Sequence, residues 1–106
     1  MSRTISVNEL KPLVDGKRAT VLDVRRQNDY GADAVTLPGA AWKNPEQIAE
    51  WSKTLPKDKE IVIYCARGGS VSNSVLDNLL GQGFKARYIE GGIEAWKTAG
   101  GATAAK

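Results

Sequence analysis

The chain has 106 residues, 42% hydrophobic and 25% charged, and fifteen basic against twelve acidic side chains leave a formal charge of +3. That length suits one core, the composition excludes disordered and fibrous classes, and Lys and Arg scattered in nothing longer than pairs such as Arg25-Arg26 argue against a nucleic-acid partner. One cysteine and no histidine exclude an internal disulfide, a CxxC redox pair and a zinc site, so neither metal nor cofactor is expected. The N-terminus lacks the apolar core of a secretory signal and no apolar run approaches the ~18 residues that span a bilayer, so a cytoplasmic protein without membrane contact is expected.

Thr4-Ile5 reads as a brief edge strand. Ser6-Val7-Asn8-Glu9 has the S-x-x-E form of a capping box, predicting a short helix that turns Leu10 and Leu13 inward and is limited or distorted by Pro12. Ala19 to Val24 is a near-continuous apolar run whose one charge is Asp23, the pattern of a strand covered on both faces. After a polar segment, Val35 to Trp42 offers a third strand interrupted at Pro38-Gly39. Asn44-Pro45-Glu46-Gln47 then supplies an N-cap and a first-turn proline, for a helix to about Leu55 with Ile48, Trp51 and Leu55 inward.

Ile61 to Cys65 is the clearest strand. The helix from Val71 is the clearest helix, with Val71, Val75, Leu76, Leu79 and Leu80 on one face and Gly81 as its terminator. Ala86 to Glu90 makes a fifth strand, and Gly91-Gly92-Ile93-Glu94-Ala95-Trp96 opens a last helix ending near Gly100. Residues 101–106 read as a loose tail beyond a single domain of residues 1–100. Strands alternating with helices at short intervals mean α/β with a mainly parallel five-stranded sheet. Trp42, Trp51 and Trp96 are expected in the packing rather than at a site.

In such sheets ligands gather where a strand's carboxyl end leads into a helix, and Cys65 stands at one. From Ala66 to Ser70 the loop is short, and Gly68-Gly69 permit positive φ and close backbone approach, so successive N–H groups can turn toward the sulfur. The following helix adds its positive end. A thiol of ordinary pKa about 8.5 is mostly protonated at neutrality, and such surroundings lower it. The loop can thus replace histidine as the activating device, with Arg67 as the loop's one cation. A lone cysteine ending an apolar strand is often a mere small hydrophobe, but that role does not call for C-x-x-G-G-S in front of an amphipathic helix.

Phosphatases of the C-x5-R type use the same cradle but need arginine six positions after the cysteine to grip phosphate, and Val71 stands there. Protease or acyl-transfer chemistry needs a histidine base, and dithiol exchange needs a resolving cysteine. What remains is thiolate attack on a soft atom whose leaving group departs without a proton. Sulfane sulfur transfer fits: thiosulfate would give a cysteine persulfide and sulfite, and cyanide or a thiol would then take the outer sulfur. A non-catalytic module binding a partner protein, and a phosphatase or arsenate reductase, are the competing readings.

The stretches VLDVR (21–25), DY (29–30), LPGA (37–40), IVIYCARGGSVS (61–72), YIEGG (88–92) and IEAW (93–96) together resemble single-domain rhodaneses, which are sulfurtransferases, and the resemblance runs from about Ile5 to Trp96. It implies the three-layer rhodanese-like fold, Cys65 as the persulfide carrier, and the backbone of Ala66, Arg67, Gly68, Gly69, Ser70 and Val71 around the bound sulfur. It implies a small anionic donor and a thiol or cyanide acceptor, with room for an unidentified protein as acceptor. Asp23 and Arg25 match positions of structural support, with Arg25 able to pair with Asp29. The chain departs from the family in lacking a Gly-His-Ile before its Pro-Gly-Ala element and in placing Asp29 where glutamate is commoner. The loop length matches sulfurtransferases rather than the related phosphatases.

Overall fold

Ser6 caps the first helix as the sequence suggests: its hydroxyl accepts the N–H of Glu9 at 3.2 Å and the Glu9 carboxylate accepts the N–H of Ser6 at 3.4 Å. This computed structural model describes residues 3–16, 18–55, 57–67 and 69–105. Thr4–Ile5 is strand β1 and Val7–Asp15 helix α1. Contrary to expectation α1 passes through Pro12. The proline forfeits only the bond to the carbonyl of Asn8, a residue exposed to water, while Leu10 anchors the helix in the core.

Ala19–Asp23 forms β2, Glu60–Tyr64 β5 and Ala86–Ile89 β6; Ala41–Trp42 forms β4. With β1 they make a five-stranded sheet in the order β1-β6-β5-β2-β4, every pairing parallel. The near-continuous apolar runs of β2 and β5 follow from burial on both faces. Ile61 and Ile63 point into one core with Leu22, Leu76 and Leu79, and Val62 and Tyr64 into the other with Val21, Ile89 and Trp96. The strand period of two divides each run between two layers.

Helix α4, Ser70–Gly81, covers the first face, packed by Val75, Leu76 and Leu79, and α1 with α5, Gly92–Thr98, cover the second. Leu80, expected inward, is one of the exposed residues, and α4 continues through Gly81 to a cap at Gln82. The helix expected from Pro45 to Leu55 is a 3-10 turn at Pro45–Gln47, a single α turn at Ile48–Trp51 (α3) and another 3-10 turn at Ser52–Thr54. Asn44 does cap its start, accepting from the N–H of Glu46 at 3.0 Å. Among the described residues no helix is long and apolar enough to cross a membrane.

The polar segment after β2 contains a helix the sequence hid, α2 at Gln27–Ala32, which buries no residue and so shows no apolar period. It is held by Tyr30, stacked on Trp42 with ring centroids 4.7 Å apart. The expected third strand is split at Pro38-Gly39. Its first part, β3 at Val35–Thr36, leaves the main sheet and pairs antiparallel with β7, Ala104–Ala105. Residues 101–105 are therefore not a loose tail. The Trp96 indole N–H donates to Ala102 O at 2.7 Å and the N–H of Gly101 to Trp96 O at 2.9 Å.

Candidate active site

The chain leaves β2 toward β4 on one side of the sheet and β5 toward β6 on the other. Loops that part in this way open a crevice at the carboxyl ends of the strands. A cleft of about 660 Å³ lies there, lined from the β2 side by Arg25, Arg26 and Asp29 and from the β5 side by Cys65 and Arg67. Ala66, Gly69, Ser70 and Val71 also line it. Trp42 does not; its indole N–H donates to Arg25 O at 2.9 Å.

Cys65 follows directly on β5 and is 7% exposed. Burial alone pushes its thiol up. The Ser72 hydroxyl and the backbone N–H groups of Gly69, Arg67 and Ser72 outweigh burial and hold the thiol below its ordinary value. The N-cap of helix α4 is Gly69, which has no side chain to accept the first N–H groups, so the sulfur occupies the place of an N-cap acceptor. Gly69 has φ −99° and needs no left-handed conformation, contrary to expectation, and Gly68 lies outside the described residues.

The loop's carbonyls are held from the far side by α5. The N–H groups of Ile93 and Glu94 donate to the carbonyls of Cys65 and Ala66 at 3.0 and 3.2 Å. This contact requires glycine at position 92: its φ is +64°, and a Cβ there would lie 2.7 Å from the carbonyl carbon and oxygen of Ala66. Gly92→Ala is accordingly expected to cost about 3 kcal/mol in a chemical denaturation curve, from left-handed strain and backbone overlap together. Its Cys65 should react with alkylating agents as slowly as an ordinary thiol at the same pH.

Behind the cleft, Arg25 forks onto Asp23. Nε reaches Oδ1 at 3.0 Å and Oδ2 at 2.9 Å, and an Nη reaches Oδ2 at 2.7 Å, with the two residues 2% and 0% exposed. The remaining guanidinium donors go to Asp33 Oδ2 at 2.9 Å and Val35 O at 3.1 Å. The acid beyond Asp23 is thus Asp33 and not Asp29, which lines the cleft without an ion pair to Arg25. Asp29 sits in the first turn of α2, whereas Asp33 is that helix's C-cap and accepts the N–H of Val35 in β3 at 3.2 Å.

Lys97 of α5 also reaches Asp33, at 2.6 Å, and with burial opposed by Val35 N–H and Arg25 the carboxyl is held down to about 2. The Tyr64 hydroxyl donates to Asp23 at 3.2 Å and accepts the N–H of Leu37 at 3.3 Å. Burial, and then the charge of Asp23, raise that phenol well above its ordinary value, so it stays protonated. This network ties β2, β3, β5 and α5 together beneath the cleft.

Several participants escaped sequence reading. Arg26 lines the cleft and, like Arg67, makes no ion pair among the described residues. Asp33 and Lys97 lie far apart in sequence, so nothing local signals them. Gly91-Gly92 was visible as the opening of a helix, but its approach to the cysteine loop was not.

The chain matches the family model of the rhodanese-like domain over residues 6–99. It is 35% identical over 98 residues to a thiosulfate sulfurtransferase GlpE of Coxiella burnetii, covering 92% of this chain and 89% of that protein. A Pseudomonas fluorescens protein of the same name is 35% identical over 81 residues, 76% of this chain and 72% of its own. Among solved structures, a rhodanese-related protein from Thermoplasma volcanium superposes with a TM-score of 0.86 at 26% identity, covering 99% of this chain and all of the other. A protein from Lactobacillus plantarum shares the fold, with a TM-score of 0.88 at 23% identity over 98% of this chain and 88% of its own. Sheet order, cysteine loop and sequence similarity along nearly the whole chain agree, and the protein belongs to the rhodanese-like domain family.

Proposed function

We propose that this protein is a thiosulfate sulfurtransferase, moving a sulfane sulfur from thiosulfate or a related donor to cyanide or a thiol through a persulfide on Cys65. The observation that carries the reading is the environment of that sulfur: a buried thiol held below its ordinary pKa by the head of α4. A thiolate is the species that attacks sulfane sulfur, and sulfite leaves as a stable anion, so no acid or base is required. The relatives named as thiosulfate sulfurtransferases favour this donor.

The loop backbone from Ala66 to Val71 would surround the outer sulfur, and Arg26 and Arg67, at the cleft without ion pairs among the described residues, would draw in the donor dianion. Val71, in the first turn of α4, packs against the core and supplies no guanidinium, which disfavours phosphate and arsenate as substrates. A cytoplasmic setting goes with the reading, since a reducing compartment keeps a lone thiol free.

Intact-mass measurement after incubation with thiosulfate is expected to show one added sulfur, released by cyanide as thiocyanate. A wild-type protein that gains no sulfur from thiosulfate or any persulfide donor would sink the proposal in favour of a non-catalytic module. Arg67→Ala is expected to raise KM for thiosulfate, most clearly at low ionic strength.

A further inference from the structure

Ser72 lies in the first turn of α4, fully buried, and no nitrogen or oxygen partners its hydroxyl. It is the one buried side-chain polar atom so placed among the described residues. A buried polar group without a partner is costly and rare, and calls for an explanation. Helical side chains lean toward the N-terminus, so Ser72 leans toward the cysteine loop, and the polar group it faces is the sulfur of Cys65. Neighbouring Asn73 is spent elsewhere: its backbone and side-chain N–H groups both go to Gly69 O at 3.2 Å.

We propose that Ser72 is a catalytic residue of the sulfur transfer, its hydroxyl donating a hydrogen bond to Cys65 Sγ whenever that sulfur carries the negative charge. The inference rests on the sulfurtransferase reading for its place in the cycle. In the first step the Cys65 thiolate bonds to the outer sulfur of thiosulfate, the S–S bond of the donor breaks, and its electron pair leaves with sulfite. The charge then lies on the outer persulfide sulfur, within the backbone loop, and Sγ no longer needs the hydroxyl. In the second step cyanide bonds to that outer sulfur, the persulfide bond breaks, and its electron pair returns to Sγ. Ser72 receives the departing thiolate, so it stabilises the nucleophile of one step and the leaving group of the other.

Two substitutions decide it, Ser72→Ala and Ser72→Thr. At a pH low enough to keep Cys65 protonated, removal of this hydroxyl should leave the unfolding midpoint of Ser72→Ala no lower than wild type. At neutral pH its Cys65 should be alkylated by iodoacetamide about tenfold more slowly, with the pH profile displaced upward, the size expected for losing one hydrogen bond to a charged group. With the persulfide loaded, thiocyanate release should be about threefold slower at every pH, because a more basic thiolate is a poorer leaving group. Sulfite release should recover to the wild-type rate or above once the pH is high enough to ionise both thiols. Ser72→Thr, which keeps the hydroxyl, should restore the alkylation profile.

An alkylation profile of Ser72→Ala superimposable on wild type overturns the proposal. So does an early-melting Ser72→Ala protein impaired equally in both steps at all pH, which would assign Ser72 to packing. The alkylation arm needs no sulfur donor, so it decides on Ser72 even if the wild type takes up no sulfur and the functional reading itself fails.

Discussion

Cys65→Ser should load no sulfur from thiosulfate, and transfer to cyanide should fall on the order of 10³-fold or more, over about 4 kcal/mol of barrier. A serine hydroxyl set in the same N–H groups remains protonated at neutral pH and is hard where the sulfane sulfur is soft, so neither attack nor departure proceeds. The fold should survive. The residue is 7% exposed, and an oxygen there still accepts from the uncapped head of α4, so the unfolding midpoint should stay near wild type while activity disappears. A variant that kept activity would remove the persulfide from the mechanism. The same surroundings set a pH dependence. Because the folded thiol's pKa is lowered, its ionisation adds stability that is complete above the unfolded value of about 8.5 and is lost as pH falls through the folded value. Cys65→Ser should flatten that alkaline part of the stability profile.

Arg25→Met is expected to be the most destabilising single change, by about 3 to 5 kcal/mol. It leaves the Asp23 carboxylate fully buried with only the Tyr64 hydroxyl and the N–H of residue 25 for partners. Against a typical total stability of about 5 to 15 kcal/mol, much of the folded population is at risk. Arg25→Lys should not rescue it, since an ammonium cannot span Asp23, Asp33 and Val35 as the planar fork does. The informative variant is Asp23→Asn combined with Arg25→Met. By removing the stranded charge it should recover part of the loss in urea unfolding, and a cycle built on the single variants measures the coupling. If Arg25→Met unfolds at the wild-type midpoint, the network is not what joins β2 to the loops around the cleft.

The same network marks where sequence reading stopped. The family resemblance marked Asp23 and Arg25 as structural support but gave Arg25 to Asp29, whereas its partners are Asp23 and Asp33. The choice of Asp33 depends on the backbone after α2 and on Lys97 arriving from the far end of the chain. α2 was missed because a helix that buries nothing leaves no period. The segment at 101–105 was misread because glycine and alanine carry no burial pattern, while its attachment comes from Trp96 and β3.

The sequence by itself determined the alternation of strands and helices, the two-faced burial of β2 and β5, and the position of Cys65 at a strand end before a helix, since local period and composition encode these. It also limited the chemistry, for with one cysteine and no histidine few reactions remain. The tertiary structure alone decided what surrounds the sulfur. Ser72 looks like any small helical residue until the sheet order sets α4 against the end of β5, and Gly92 becomes obligatory only when α5 is laid on the carbonyls of Cys65 and Ala66. Such contacts join residues far apart in the chain, and their energies come from burial and approach that no local pattern records.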